Sequence, residues 1–214
     1  MFATAVRFAP LVGTTLVFAL GFGGRTWLHH RRYGHSGVIL FRQTGTWARL
    51  RDVSLLLLPV ALLLLTLMQA LQPGWPGWGH FPFLDSALFV GVGIALLLLS
   101  IGLLLAAQLQ MGRSWRVGID EAAAPGLVTG GLFRHSRSPI FASLLAALLA
   151  LFLLMPCALS LLLLCVTYGG IRRQIADEER YLQRTYPDQY LPYAARVGRF
   201  VPWLGRLSPP TSHL

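Results

Sequence analysis

The chain has 214 residues, 55% of them hydrophobic and only 12% charged, with a mean hydropathy of +0.60. A soluble domain carries about a quarter charged residues, so this one has too little polar surface to meet water on every side; disordered, collagen-like, coiled-coil and disulfide-scaffold classes fail the same test. The net charge is +10, carried by 18 arginines and no lysine, but no nucleic-acid motif accompanies it, and loops beside anionic lipid headgroups account for such an excess.

In chain order, the first apolar stretch runs from Phe8 to about Gly24. It has one preceding arginine, Arg7, many following ones and no clear small-residue cleavage site, so it reads as a retained helix rather than a signal peptide. Val53–Leu71 is a second span and about Leu84–Ala107 a third, each near the ~20 residues that a crossing needs. Ile140–Tyr168 holds no charge. As a single helix it would be about 43 Å long, too much for a ~30 Å hydrocarbon core. Pro156 sits in its middle, where a helix breaks. The expectation is a tight hairpin of two short arms, about 140–155 and 157–175, the second continuing past the membrane surface. The fold class is therefore all-α: one membrane domain, a bundle of about five transmembrane helices with cytoplasmic C-terminal elements.

Segment 25–51 carries Arg25, Arg31, Arg32, Arg42, Arg49 and Arg51, whereas 72–83 carries none. Arginine-rich short loops stay cytoplasmic. Five spans then put the N-terminus outside and the C-terminus inside, with the arginine-only composition pointing to a bacterial inner membrane. All six tryptophans lie near span ends, where aromatic belts form. Gly91 and Gly93 read as small residues at a helix contact. Cys157 and Cys165 are about 12 Å apart along one helix, too far for a disulfide.

The polar residues concentrate in two clusters flanking the hairpin. The first runs through Met111–Asp120 and then Gly126–Phe141, with Gly126, Gly130 and Gly131 marking a loop. Pro139 suits the first turn of the following helix. Arg137, two residues earlier, faces either lipid phosphates or an anionic ligand group. The second cluster is 172–186. At 100° per residue, Ile171, Ile175, Leu182 and Tyr186 form one apolar stripe, flanked by Glu178 and Glu179, with Arg173, Arg180 and Arg184 opposite. Carboxylates beside a buried stripe need partners. Either they form ion pairs with Arg137 or its neighbours, or they receive a cation or ribose hydroxyls. An arginine on one side of the hairpin and a glutamate pair on the other would make a clamp for a zwitterion.

These residues resemble the isoprenylcysteine carboxyl methyltransferase and phospholipid methyltransferase superfamily of integral membrane enzymes. The matching stretches are Leu127-Val-Thr, then Arg137-Ser-Pro139-Ile-Phe141, then Glu178-Glu179-Arg-Tyr-Leu182, then Tyr190-Leu-Pro-Tyr193, then Val197-Gly-Arg199-Phe200-Val-Pro202. They cover about 111–202, in order around the hairpin; 1–110 supplies three further spans. The resemblance implies S-adenosylmethionine as methyl donor, with S-adenosylhomocysteine as product. By position it implies cofactor contacts from Leu127, Val128, Gly131, Leu132, Phe133, Arg137, Ser138, Pro139, Phe141, Glu178 and Glu179. Arg137 and Glu178 stand at the chemistry, and His135 is an out-of-register neighbour. Ser138 replaces a family His, Phe141 a Tyr, Ser143 a Gly and Leu132 a Pro.

The expected partners are membrane lipids and an amphipathic acceptor entering sideways between spans; nucleic acid is not expected, nor a metal. No base stands out besides His135 and the glutamates, which favours a carboxylate or already deprotonated acceptor. Two rival readings belong to other classes: a nicotinamide-dependent membrane reductase of similar fold, and a non-catalytic membrane protein with a decayed cofactor site.

Overall fold

A computed structural model describes residues 2–41, 45–73, 75–118 and 126–207. Helix α1 (Phe2–Phe18) passes through a wider π turn (Ala19–Gly24) into α2 (Arg25–Tyr33). Helices α3 (Thr46–Leu71) and α4 (Ala87–Met111) follow; α5 (Pro139–Leu154) and α6 (Ala158–Thr185) make the hairpin, and α7 (Pro187–Arg196) ends the helical order. Among the described residues no strand forms, only three isolated bridges. The architecture is a helical membrane bundle.

Three stretches are long and apolar enough to cross a bilayer: Arg7–Tyr33, Thr46–Leu71 and Ala87–Ser114. The hairpin arms are different. Helix α5 has 16 residues, about 24 Å, and α6 turns charged after Ile171. The bundle is thus three long spans plus the short-armed hairpin that the sequence indicates. The first and second spans are longer than hydropathy alone indicates. Charged residues extend them into the polar boundary: α3 starts at Thr46, and Arg51 and Asp52 lie buried in its first two turns. Asp52 accepts from Arg51 Nε at 2.8 Å and from the Phe41 N–H at 2.6 Å, so the pair ties the preceding loop to the helix.

The hairpin turns at Met155–Cys157, as Pro156 requires. Its tip is stitched to the loop after α3: Phe81 N–H donates to Pro156 O at 2.8 Å, and Ala158 N–H to Gly79 O at 3.0 Å. Cys157 and Ser160 then cap α6. Arg7 Nη2 donates to Leu71 O at 3.0 Å, placing the start of α1 at this same end. At the opposite end lie the arginine-rich segments, joined by Ile39 N–H to Val117 O (2.8 Å) and Arg137 N–H to Gly198 O (2.9 Å). The chain order therefore collects both polar clusters at one end of the bundle.

Helix α5 packs along α4. Gly93 makes this possible: a Cβ there would sit 2.9 Å from Leu154 Cγ. Leu97, Leu104, Ala147, Ala150 and Leu154 fill the contact. Burying each large aliphatic side chain is worth about 1.5–3 kcal/mol relative to water, but against lipid the gain comes from packing rather than dehydration. Leucines on the lipid side, such as Leu57 and Leu98, remain exposed on the bundle surface. Both cysteines are free, Cys157 buried and Cys165 exposed. Four of the six tryptophans are exposed in the way a membrane belt requires; Trp78 and Trp115 are not. Trp78 donates to Gln72 O at 2.9 Å, and Trp115 lies under the Arg25 guanidinium, 4.9 Å from its ring centre, beside His29. A tryptophan near a span end can equally be core, and sequence position does not separate the two.

Candidate active site

A cavity of about 190 Å³ opens at the arginine-rich end, between the end of α4, the start of α5, the charged half of α6, and α7. Its walls are built locally. Pro139 occupies the first turn of α5, where its missing N–H costs nothing. The two residues before it donate N–H bonds to Gly198 O and Arg199 O, which holds the Arg137–Ser138 segment against the chain after α7. The stripe along α6 buries Ile171 and Ile175 and brings Glu178 and Glu179 to the cavity. Trp115, Arg116 and Val117 form another wall, held by the pairing of Val117 with Gly37 and Ile39.

Arg137 and Glu179 do meet, as a buried pair. Arg137 Nη2 donates to Glu179 Oε1 at 2.7 Å, and both side chains are almost fully enclosed. Arg137 also donates to Ala194 O (2.8 Å) and Gly205 O (2.9 Å). Arg199 closes on the same carboxylate as a fork, Nη2 to Oε2 at 2.6 Å and Nε to Oε1 at 3.2 Å. That bond to Glu179 holds the Arg199 guanidinium above its usual range. A two-toothed grip of Arg137 on a ligand carboxylate does not fit this arrangement: both terminal nitrogens already have protein acceptors. Nε is the one guanidinium nitrogen with no partner at all, and it is buried.

Glu178 behaves differently. It lines the cavity, and burial raises its carboxyl above the ordinary range; the charge of Arg116 opposes that shift and Glu179 adds to it. The adjacent glutamates are thus divided: Glu179 holds two arginines, and Glu178 faces the open space. Tyr190 joins them. Its ring is 1% exposed, its hydroxyl has no hydrogen-bond partner, and it lies in the field of Glu179, Arg137 and Glu178. Burial pushes both Tyr190 and Tyr193 well above the usual phenol range. Tyr193 spends its hydroxyl on Phe133 O at 2.6 Å.

Of the residues expected from sequence, Leu127, Val128, Phe133, Arg137, Ser138, Pro139, Phe141, Glu178 and Glu179 line the cavity. Gly131, Leu132 and His135 do not. Gly131 begins a tight turn at φ +60°, packed on Gln110; Leu132 N–H donates to Gln110 Oε1 at 2.7 Å; His135 is exposed. The turn at 131–134 points Phe133 inward and its neighbours away, so position within a motif did not translate into contact. Asp120, in the first cluster, lies outside the described residues. The cavity also includes Gln108, Arg116, Tyr190 and Tyr193, which sequence reasoning did not single out. The spacing Tyr190–Tyr193 and the arginine at 199 were visible as motif elements, but which hydroxyl stays free is set by tertiary geometry alone.

A family model described as Phospholipid methyltransferase matches residues 88–189. This region is similar to the phospholipid methyltransferase family. The family lies within the superfamily that also contains isoprenylcysteine carboxyl methyltransferases, and the match suggests a membrane methyltransferase. Searches of curated proteins and of solved structures found no match. The matched phospholipid methyltransferase region covers α4 to the start of α7 and stops before Tyr190 and Arg199. The fold returns both to the glutamate pair.

A second cavity, about 90 Å³ and almost wholly apolar, lies deeper in the bundle between α1, α3, α5 and α6. Phe22, Leu55, Phe141, Leu144 and Gln174 line both spaces, so the two share a wall.

Proposed function

We propose that the protein transfers a methyl group from S-adenosylmethionine to an amphipathic acceptor held in the membrane. The observation that carries this reading is the set of unsatisfied polar groups at one cavity: Arg137 Nε and Tyr190 Oη, buried without partners, beside the Glu178 carboxyl. Buried polar atoms in folded proteins are nearly always paired, so such a cluster calls for a ligand of matching chemistry. The methionine end of S-adenosylmethionine is a zwitterion with an ammonium for Glu178 and a carboxylate for the Arg137 Nε–H and the Tyr190 hydroxyl. When bound, this cofactor supplies an electrophilic methyl on a sulfonium centre. The arginine excess at this end favours the cytoplasmic side, where the cofactor is available.

The chain's own residues then have four tasks. Glu179 binds Arg137 and Arg199 and fixes both, so that the Arg137 Nε–H is aimed by a rigid frame rather than by a mobile side chain. Glu178 offers a carboxylate to a cation or, with its raised pKa, takes a proton from an acceptor that carries one. Phe133, Phe141 and Trp115 exclude water from the space between reactants. The second cavity receives the acceptor's apolar tail, which leaves its head at the shared wall.

Calorimetric titration of the detergent-purified protein with S-adenosylhomocysteine tests the reading. Wild type binds, and Glu178→Ala and Tyr190→Phe bind more weakly. No binding by folded wild type removes the methyltransferase reading, and titration with NADPH then examines the reductase alternative.

A further inference from the structure

Gln108, near the end of α4, is 2% exposed. Its Nε2 donates to Gly21 O, in the π turn of the first helix, at 2.8 Å. A carbonyl oxygen can accept only from the amide's NH₂, so this bond fixes which way the amide points. The other end, Oε1, is buried, has no partner, and belongs to a residue that lines the polar cavity. Leaving such an acceptor unpaired costs about as much as losing a good hydrogen bond.

The arrangement that imposes this is specific. The π turn carries Gly21 against α4, where a Cβ would meet Leu104 Cδ2 at 2.9 Å and the approach would fail. π turns inside α-helices are rare and concentrate at functional sites. The next residue, Phe22, lines both cavities. Gln108, which lines the polar cavity, is thus tied to the residue before Phe22, on the wall that the polar and apolar spaces share. The groups assigned to the methyl donor come from α6, α7 and the residues before α5, on other walls of the polar cavity than the end of α4 that carries Gln108. An acceptor whose tail fills the apolar cavity presents its head at the shared wall.

From this we infer that Gln108 Oε1 accepts a hydrogen bond from an N–H or O–H on the head of the methyl acceptor, and so selects acceptors with a donor head over those without one. The word acceptor rests on the methyltransferase reading; the orphan oxygen and its fixed orientation do not. The inference also places an element from residues 1–33, outside the matched family region, in control of specificity.

The test uses the full chain in lipid nanodiscs and three single-chain amphiphiles with no other donor: dodecylphosphoethanolamine (N–H head), dodecylphosphoglycerol (O–H head) and dodecylphosphocholine (no donor). Binding is measured by calorimetry below the micellar concentration. Wild type should bind at least one donor-headed probe about fivefold to tenfold more tightly than the choline probe. Gln108→Met, of similar size but without the oxygen, should bind all three alike and keep its affinity for S-adenosylhomocysteine. Gln108→Glu keeps an acceptor oxygen and should keep the preference for the ethanolamine head, which guards against misfolding of the Met variant.

A wild type without preference, whether it binds all three probes or none, overturns the inference. So does a preference that survives in Gln108→Met, which would make it steric. A Met variant that instead loses S-adenosylhomocysteine assigns the oxygen to the methyl donor and also overturns it. Failure of wild type to bind S-adenosylhomocysteine sinks the methyltransferase reading while the head-group comparison still reports on Gln108.

Discussion

Replacing Glu179 by Gln should destabilise the protein far more than the same change at its neighbour. Glu179 holds two guanidiniums: one bond to Arg137 at 2.7 Å and a fork to Arg199 at 2.6 and 3.2 Å. The Arg137 side chain is 2% exposed. With glutamine there its charge stays buried and uncompensated, with only neutral carbonyl oxygens to solvate it. Breaking a buried pair from one side costs about 3–5 kcal/mol. Arg199 is 26% exposed and can turn toward water, so its loss of partner adds little. For a chain of this size each kcal/mol moves the melting temperature by about 2–4 °C on the soluble-protein scale, giving a drop of roughly 6–20 °C. Circular dichroism melts in one detergent, with Glu178→Gln as the matched control, supply the measurement. A drop under about 3 °C would refute the argument that Glu179 compensates a buried charge.

The control variant carries its own prediction. Because burial raises the Glu178 pKa, ionising it weakens the fold: its contribution is intact below about pH 4.5, the ordinary value, and is lost as pH rises through the higher folded value. Glu178→Gln should therefore melt at or above wild type at pH 7, yet bind S-adenosylhomocysteine less tightly; a lower melt at pH 7 contradicts it. Tyr190→Phe removes a hydroxyl with no protein partner, so stability should hold within about 0.5 kcal/mol while ligand affinity falls about twofold to tenfold, read from melts and calorimetry on one preparation. His135→Ala should alter neither, since the side chain is exposed and away from the cavity. Gly93→Leu should lower the yield of folded protein, because the new side chain begins 2.9 Å from Leu154 and must part α4 from α5.

Much of the architecture could be read from the residues. The apolar runs, Pro156 and the arginine distribution foretold a bundle with a tight hairpin whose two flanks meet. The α6 stripe placed Ile171 and Ile175 inside, with both glutamates at the edge, because a helix repeats every 3.6 residues whatever it packs against. Which glutamate would be consumed was not legible. That depends on Arg199, twenty residues on, and on the carbonyls of Ala194 and Gly205, which no periodicity reports. The grip assigned to Arg137 failed for the same reason: its guanidinium found acceptors close at hand. Gly131, Leu132 and His135 were misplaced because a tight turn reverses direction within four residues, below the resolution of motif matching. Gln108 escaped notice since a single glutamine in an apolar helix carries no pattern until Gly21 is seen beside it.

The bonds to Arg137 have a consequence for biogenesis. Its acceptors lie 42, 57 and 68 residues further along the chain. At synthesis rates of about 5–20 residues per second, the last of them is made roughly 3 to 14 s after the arginine. During that interval the guanidinium must remain hydrated at the membrane boundary while the hairpin beyond it enters the lipid. The active site is thus assembled last, by the C-terminal segment folding back, and a chain released shortly before residue 205 would insert its helices yet leave the arginine without its full set of acceptors. Nascent chains arrested at successive lengths should show ligand binding only once that segment has emerged.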